Sequence, residues 1–161
     1  MEDLTVNAYF AGGCFWCITP VFAALKGVNK VTSGYSGGQE VNPTYEAVKA
    51  QKTGHRETLS IEYDNSVISF EELLETFLNN VDLYDGEGQF IDRGHSYTLA
   101  VYYTDDEQKN IINKRLNKFD KPVCVSVEEF SGFYDAEEYH QDYYLKHPKE
   151  FEEELINSGR K

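Results

Sequence analysis

The stretch Leu4-Thr5-Val6-Asn7-Ala8-Tyr9-Phe10-Ala11-Gly12-Gly13-Cys14-Phe15-Trp16-Cys17 changes its hydrophobic period partway along. Residues 4–10 alternate weakly and end in Tyr9-Phe10, the two-residue repeat of a strand with one buried face. The chain then runs through Ala11-Gly12-Gly13 into a helical segment reaching about residue 25, so Cys14 falls at a strand-to-helix junction. Pro20 has no backbone N–H and sits comfortably only in a first helical turn. The helix therefore either starts near Cys17 or is kinked at Pro20.

Further strands are predicted at 28–35, 57–63, 97–103 and 122–128, where Val, Ile, Thr and Tyr alternate or run together. Helices lie between them. Ser69 with Glu72 forms a capping box ahead of Phe70, Leu73, Leu74, Phe77, Leu78 and Val81, whose spacing gives one apolar helical face. Thr104 with Glu107 does the same for a helix to about residue 119, and Asp135 with Glu138 for one ending before Pro148. Glycine clusters at 12–13, 34–38 and 86–88 mark turns or loops. The interleaving lacks the regular unit of a parallel sheet, which predicts an α+β fold, a two-layer α/β sandwich around a mixed sheet. At 161 residues, with no repeat or linker composition, the chain 1–161 reads as a single domain.

A net charge of -13 and a pI near 4.6 argue against nucleic acid and against an anionic membrane surface, since both are bound by basic patches. Met1 to Phe10 carries early acids and no basic start followed by an apolar run, so no secretory signal is expected. Three cysteines do not pair off into a disulfide framework. The expected compartment is the reducing cytosol, where cysteine is chemical before it is structural.

Cys14-Phe15-Trp16-Cys17 is a C-x-x-C pair at a helix start, where free N–H groups and the helix dipole favour negative charge. A thiol there is expected to ionise below its usual value of about 8.5. A thioredoxin-like dithiol is one reading, although Phe15 and Trp16 are bulky for it. Zinc held by Cys14, Cys17, Cys124 and His140, stabilising a binding module, is a second; the short spacing of a second ligand pair is missing. A third is an inert pair of small buried residues. The aromatic neighbours suggest a fourth, a pocket for a methyl or thioether group, because sulfur and aromatic rings attract one another.

Six segments then stand in order over residues 8–148: Gly12-Gly13-Cys14-Phe15-Trp16, Gly34-Tyr35-Ser36-Gly37-Gly38, Asn42-Pro43-Thr44-Tyr45, Gly54-His55-Arg56-Glu57, Asp92-Arg93-Gly94-His95-Ser96-Tyr97 and Tyr139-His140-Gln141. Together they resemble the successive motifs of A-type peptide methionine sulfoxide reductases. The resemblance implies reduction of methionine-S-sulfoxide, protein-bound or free, with no metal or organic cofactor. It implies Cys14 as the nucleophile attacking the sulfoxide sulfur and Glu57 as a protonated acid serving the oxygen. Tyr45 and Tyr97 would donate hydrogen bonds to that oxygen, Phe15 and Trp16 would receive the substrate methyl group, and Asp92 would contact the substrate backbone.

The chemistry agrees with these roles. Attack on sulfur makes the oxygen strongly basic, so a nearby neutral acid lowers the barrier. A carboxyl in an aromatic pocket beside a thiolate stays protonated through desolvation and like charge. Two phenols stabilise an oxyanion without adding net charge. Taken singly, Tyr45 and Tyr97 would read as packed tyrosines, Glu57 as a solvated carboxylate, and His140 as a partner in a structural hydrogen bond.

The chain departs from the resemblance at two places. Cys17 stands where many relatives have glycine, and the tail Phe151 to Lys161 lacks the resolving cysteines that many carry. The sulfenic acid left on Cys14 must meet another thiol: Cys17, Cys124 or an external one. Cys17 is favoured by proximity, since a C-x-x-C pair reaches disulfide geometry with little backbone movement. Cys124, within Val123-Cys124-Val125, reads as a small buried strand residue. Thioredoxin or glutaredoxin is the reductant that the resemblance implies.

Overall fold

The structure, a computed structural model, describes residues 5–141 and 143–158. Leu4, expected to open the first strand, lies outside them. That strand, β1 (Thr5–Gly12), is central in a six-stranded sheet, pairing antiparallel with β3 (Arg56–Asp64) and with β6 (Leu99–Tyr103). β2 (Val28–Ser36) lies outside β3 and carries β8 (Tyr134–Asp135) on its far edge, while β7 (Val125–Glu129) pairs parallel with β6. The order is β7-β6-β1-β3-β2-β8, a mixed sheet as expected. A parallel pair needs a crossover, and α4 (Asp106–Leu116) supplies it between β6 and β7. A separate hairpin joins β4 (Gly88–Gln89) to β5 (Asp92–Arg93).

Alternation along β1 assigns the faces. Ala8 and Phe10 enter the main core, with α1 (Phe15–Ala23) and α3 (Phe70–Leu78) packed over that face. Phe10 stacks on Phe22, Phe70 and Phe77 at centroid separations of 5.6, 5.9 and 5.2 Å. A Phe10→Ala change there costs about 3–5 kcal/mol. Tyr9 and Ala11 face the other way, toward Ala100, Tyr102 and Phe130. β3 repeats the division: Leu59 and Ile61 join the helix-side core, whereas Arg56 turns to the opposite face and reaches Tyr102 and Glu128. Glu57 shares the parity of Leu59 and so points beneath α1.

Gly13 takes φ of +88°, which lets β1 turn into α1. α1 begins at Phe15, so Pro20 stands inside it and the Trp16 carbonyl lacks an N–H partner four residues on. Ser69 caps α3 by accepting from the Glu72 N–H, as read, but α3 stops at Leu78 and Val81 packs from the following turn. Elsewhere local patterns misled. The cap of α4 is Asp105, accepting from the Gln108 N–H, while the Thr104 N–H donates to the Gln108 side chain. Gly12 and Gly34 lie inside strands rather than loops, and residue 97 belongs to a 3-10 turn (His95–Tyr97) before β6.

The largest correction is the single helix expected from Asp135 to Pro148. Asp135 is in β8; a 3-10 turn (Glu138–His140) follows, then α5 (Tyr143–Lys146), and Pro148 begins α6 (Pro148–Ser158) instead of ending a helix. The Gln141 side chain breaks the pattern by accepting from Ser33 N and donating to the Ser33 and Ala136 carbonyls, which anchors it beside β2. A short α2 (Tyr45–Lys49), capped by Thr44, was also not anticipated. No helix among the described residues is long and apolar enough to cross a membrane.

Candidate active site

Cys14 occupies the N-cap of α1 with extended backbone, its carbonyl accepting from Cys17 N at 3.1 Å. The first free N–H of the helix, that of Phe15, donates to Glu57 Oε1 at 3.2 Å. A carboxyl group 42 residues away thus caps α1 and is held beside the thiol. The other oxygen, Oε2, is buried and has no hydrogen-bond partner. Burial pushes the Glu57 pKa up to about 8; the Phe15 N–H opposes the shift and Asp92 adds to it. The Tyr97 hydroxyl is close enough to oppose it too, but falls outside hydrogen-bond geometry to Oε2. At neutral pH Glu57 is a carboxylic acid.

Cys14 departs from expectation. Its thiol is pushed well above the ordinary range, first by the hydrogen-bonded Cys17 thiol, then by burial and by electrostatic repulsion from Cys17, Glu57 and Asp92. The helix start is real, but its leading N–H is spent on Glu57, and the Cys17 hydrogen bond and burial together outweigh the dipole. The resting site holds a neutral thiol next to a neutral acid.

Around this pair stands an aromatic wall. Phe15 is fully buried, and Trp16 stacks on Tyr143 at 4.2 Å and lies 6.1 Å from Tyr45. The Trp16 indole N–H donates to His140 Nδ1 at 2.9 Å, the structural bond anticipated for this histidine. Burial lowers the His140 pKa to about 4, so the ring is neutral, and with Nδ1 accepting, its proton sits on Nε2. That nitrogen is buried without a partner. Tyr45 packs on the same ring at 4.2 Å.

Tyr45 is fixed by its backbone: its N–H donates to Glu137 Oε2 at 3.0 Å, while Tyr35 donates to Oε1 at 2.8 Å. Tyr97 is fixed through its neighbour. Gln51, just beyond α2, accepts from Ser96 N at 3.0 Å and donates to Ser96 Oγ at 2.7 Å. Gln51 does so from a left-handed backbone, φ +63°, and a Cβ on Gly94 would strike its amide. The clasp ties the turn bearing Tyr97 to the helix bearing Tyr45. Both phenols are pushed upward, by burial first and then by Glu57, so each remains a donor.

The structure therefore brings together Cys14, Glu57, Tyr45 and Tyr97, with Asp92 of β5 close enough to bear on all four. Cys17 is buried beside Cys14, and Phe15 and Trp16 line the wall. Cys124 is not brought in. It is exposed rather than a buried strand residue, and it precedes β7, with its N–H on the Leu83 carbonyl. Among the described residues no group of three or more His, Cys, Asp or Glu is placed to hold a metal, so the zinc module has no support. Glu137, Gln51 and Tyr143 were missed. Only Tyr143 left a trace in the sequence, three residues after His140.

What fold and site define is a cysteine-based reductase. The particular family follows from comparison: the peptide methionine sulfoxide reductase family matches residues 6–161, and the chain belongs to it. It is 44% identical to the peptide methionine sulfoxide reductase MsrA of Bacillus licheniformis over 99% of this chain and 92% of that protein. Among solved structures it resembles reduced Mxr1 from Saccharomyces cerevisiae, with TM-score 0.83, 26% identity and coverage of 92% and 89% of the two chains. Methionine sulfoxide reductase A of Corynebacterium diphtheriae gives TM-score 0.83 and 25% identity, covering 91% of this chain and 77% of that one. The yeast protein is also known in complex with Trx2, at 19% identity and TM-score 0.55.

Proposed function

We propose that this chain, a single reductase domain over 1–161, converts methionine-S-sulfoxide, free or in oxidised proteins, to methionine with Cys14 as nucleophile. One observation carries the assignment of the acid: Glu57 is buried against the Cys14–Phe15 junction with Oε2 unpartnered, and burial pushes its pKa up to about 8. A buried O–H without an acceptor is costly unless a ligand supplies one. The sulfoxide oxygen is such an acceptor, and it becomes more basic as sulfur is attacked.

In this reading the Cys14 sulfur attacks the sulfoxide sulfur while Glu57 protonates the oxygen and Tyr45 and Tyr97 donate to it. The Cys14 thiol proton returns to Glu57, the oxygen passes from the substrate sulfur to Cys14 as the S–O bond breaks, and methionine leaves as the thioether with Cys14 as the sulfenic acid. Phe15 and Trp16 hold the substrate methyl group and Asp92 its backbone. The Cys17 thiol then displaces water from Cys14, forming the Cys14–Cys17 disulfide. A protein dithiol of the thioredoxin or glutaredoxin class, such as accompanies the yeast relative, takes up the disulfide and restores both thiols. We assign the chain to the cytoplasm, where such dithiols are kept reduced.

Incubation with methionine-S-sulfoxide in the absence of reductant, followed by peptide mapping, tests the reading. Wild type should give a Cys14–Cys17 disulfide, and Cys17→Ser a Cys14 sulfenic acid trapped by dimedone. A Cys14–Cys124 link, or thiols left unmodified after methionine is released, would overturn it.

A further inference from the structure

The two cysteines have different surroundings. Cys14 faces the acid and the aromatic wall, whereas Cys17, one helical turn on, lines a separate groove of about 790 Å³ to which Cys14 does not contribute. Pro20 and Val21 of α1, Val81 after α3, Phe90 at the β4–β5 hairpin tip, and Phe151 and Leu155 of α6 form its apolar walls. Among the described residues Asp82 is the only charged one that lines it, and no Lys or Arg contributes.

The hairpin tip is held in place at a conformational cost. Phe90 adopts φ of +56°, a region that a bulky aromatic residue avoids, and is still 36% exposed, with Ile91 beside it at 59%. The Gln89 side chain fastens the hairpin by accepting from Asp82 N at 2.7 Å and donating to the Asp82 carbonyl at 2.8 Å. Phe90 thus presents an aromatic surface at the edge of a groove that contains a thiol.

We infer that this groove is the docking face for the protein dithiol that regenerates the enzyme, and that Cys17 is the sulfur it attacks. The inference rests on the Cys14–Cys17 disulfide of the preceding section. A reductant thiolate entering the groove attacks the Cys17 sulfur, so Cys14 leaves as the thiolate and takes a proton. The second thiol of the reductant then attacks the mixed disulfide, frees Cys17, and leaves the reductant as its disulfide, two electrons having passed to the enzyme. The substrate pocket is not crossed at any stage. The apolar walls suit a protein surface around a dithiol, and the described lining residues offer no cation to hold the carboxylates of glutathione. Helix α6, part of a tail that bears no cysteine, serves as a wall.

Phe90→Asn tests this, because Asn accepts the left-handed backbone while removing the apolar wall; Val21→Asp is a second, independent variant on α1. The KM for a purified thioredoxin should rise about tenfold or more in each. The yield of methionine in one turnover and the turnover driven by dithiothreitol should stay at wild-type levels. An unchanged thioredoxin KM, an equal fall with dithiothreitol, or a shift in oligomeric state on sizing columns, which would mark the groove as a contact between copies of the chain, each overturns the proposal. If wild type forms no Cys14–Cys17 disulfide, the preceding reading fails; if the disulfide forms and KM does not move, only the groove does.

Discussion

Replacing Glu57 by Gln should make the protein more stable and nearly inactive at once. Burial raises this carboxyl from an ordinary 4.5 to about 8. Because the native value lies above the unfolded one, the carboxyl's contribution to stability is intact below pH 4.5 and is lost progressively as pH rises toward 8. The cost of keeping the group neutral when the unfolded chain would ionise it is about 1 kcal/mol at pH 5 and about 3 kcal/mol at pH 7. Gln carries no such cost. Its carbonyl still accepts the Phe15 N–H, and its NH2 places two N–H donors where the acid had one O–H, with no change of charge or shape. Urea unfolding of the reduced proteins should therefore show Glu57→Gln gaining on wild type by about 2 kcal/mol between pH 5 and pH 7. Single-turnover methionine release should meanwhile fall roughly 10²–10⁴-fold, the contribution of a positioned general acid. A stability gap that is flat from pH 5 to 7, or a Gln variant weaker than wild type at pH 7, would show that Glu57 is ionised in the native site and refute its role as acid.

Tyr45→Phe and Tyr97→Phe should each slow the same step less than Glu57→Gln does, and the double variant should lose more than either, because two donors to one oxygen partly cover for each other; rapid-quench rates decide, and two silent variants would remove the phenols from the chemistry. Gln51→Gly relieves a strained φ of +63°, worth about 1–3 kcal/mol, while cutting two hydrogen bonds to Ser96 worth about 1 kcal/mol each, so the two effects oppose and largely offset. Its urea midpoint should barely move while kcat drops several-fold with little change in KM, since Tyr97 is less well held; unchanged kcat would reduce Gln51 to a surface clasp.

The strand-turn-helix unit around Cys14 was legible because its signals are local: a period that changes from two to 3.6, and a glycine pair between. The Ser69 cap was legible for the same reason. The acidity of Cys14 was not. Its helix position predicted a lowered pKa, but the Cys17 thiol three residues on raises it first and burial in the assembled fold second, with Glu57, which arrives from β3, adding to them. The segment 135–148 failed in the same way, because a cap pattern cannot show that the Gln141 side chain will bind the backbone at Ser33. Gln51 and Glu137 position the two phenols through contacts that span 45 and 92 residues, and their own surroundings in the chain give no hint of it. Site chemistry was thus readable where one segment supplies it, and hidden where the sheet assembles it.

The central claim, a Cys14-based reduction specific to one sulfoxide epimer, meets its most direct test in stoichiometry. Reduced enzyme mixed with excess methionine sulfoxide and no reductant should release methionine in a burst of about one equivalent from the S epimer and none from the R epimer, with no burst from Cys14→Ser. A full burst from Cys14→Ser, or equal bursts from both epimers, would contradict the account.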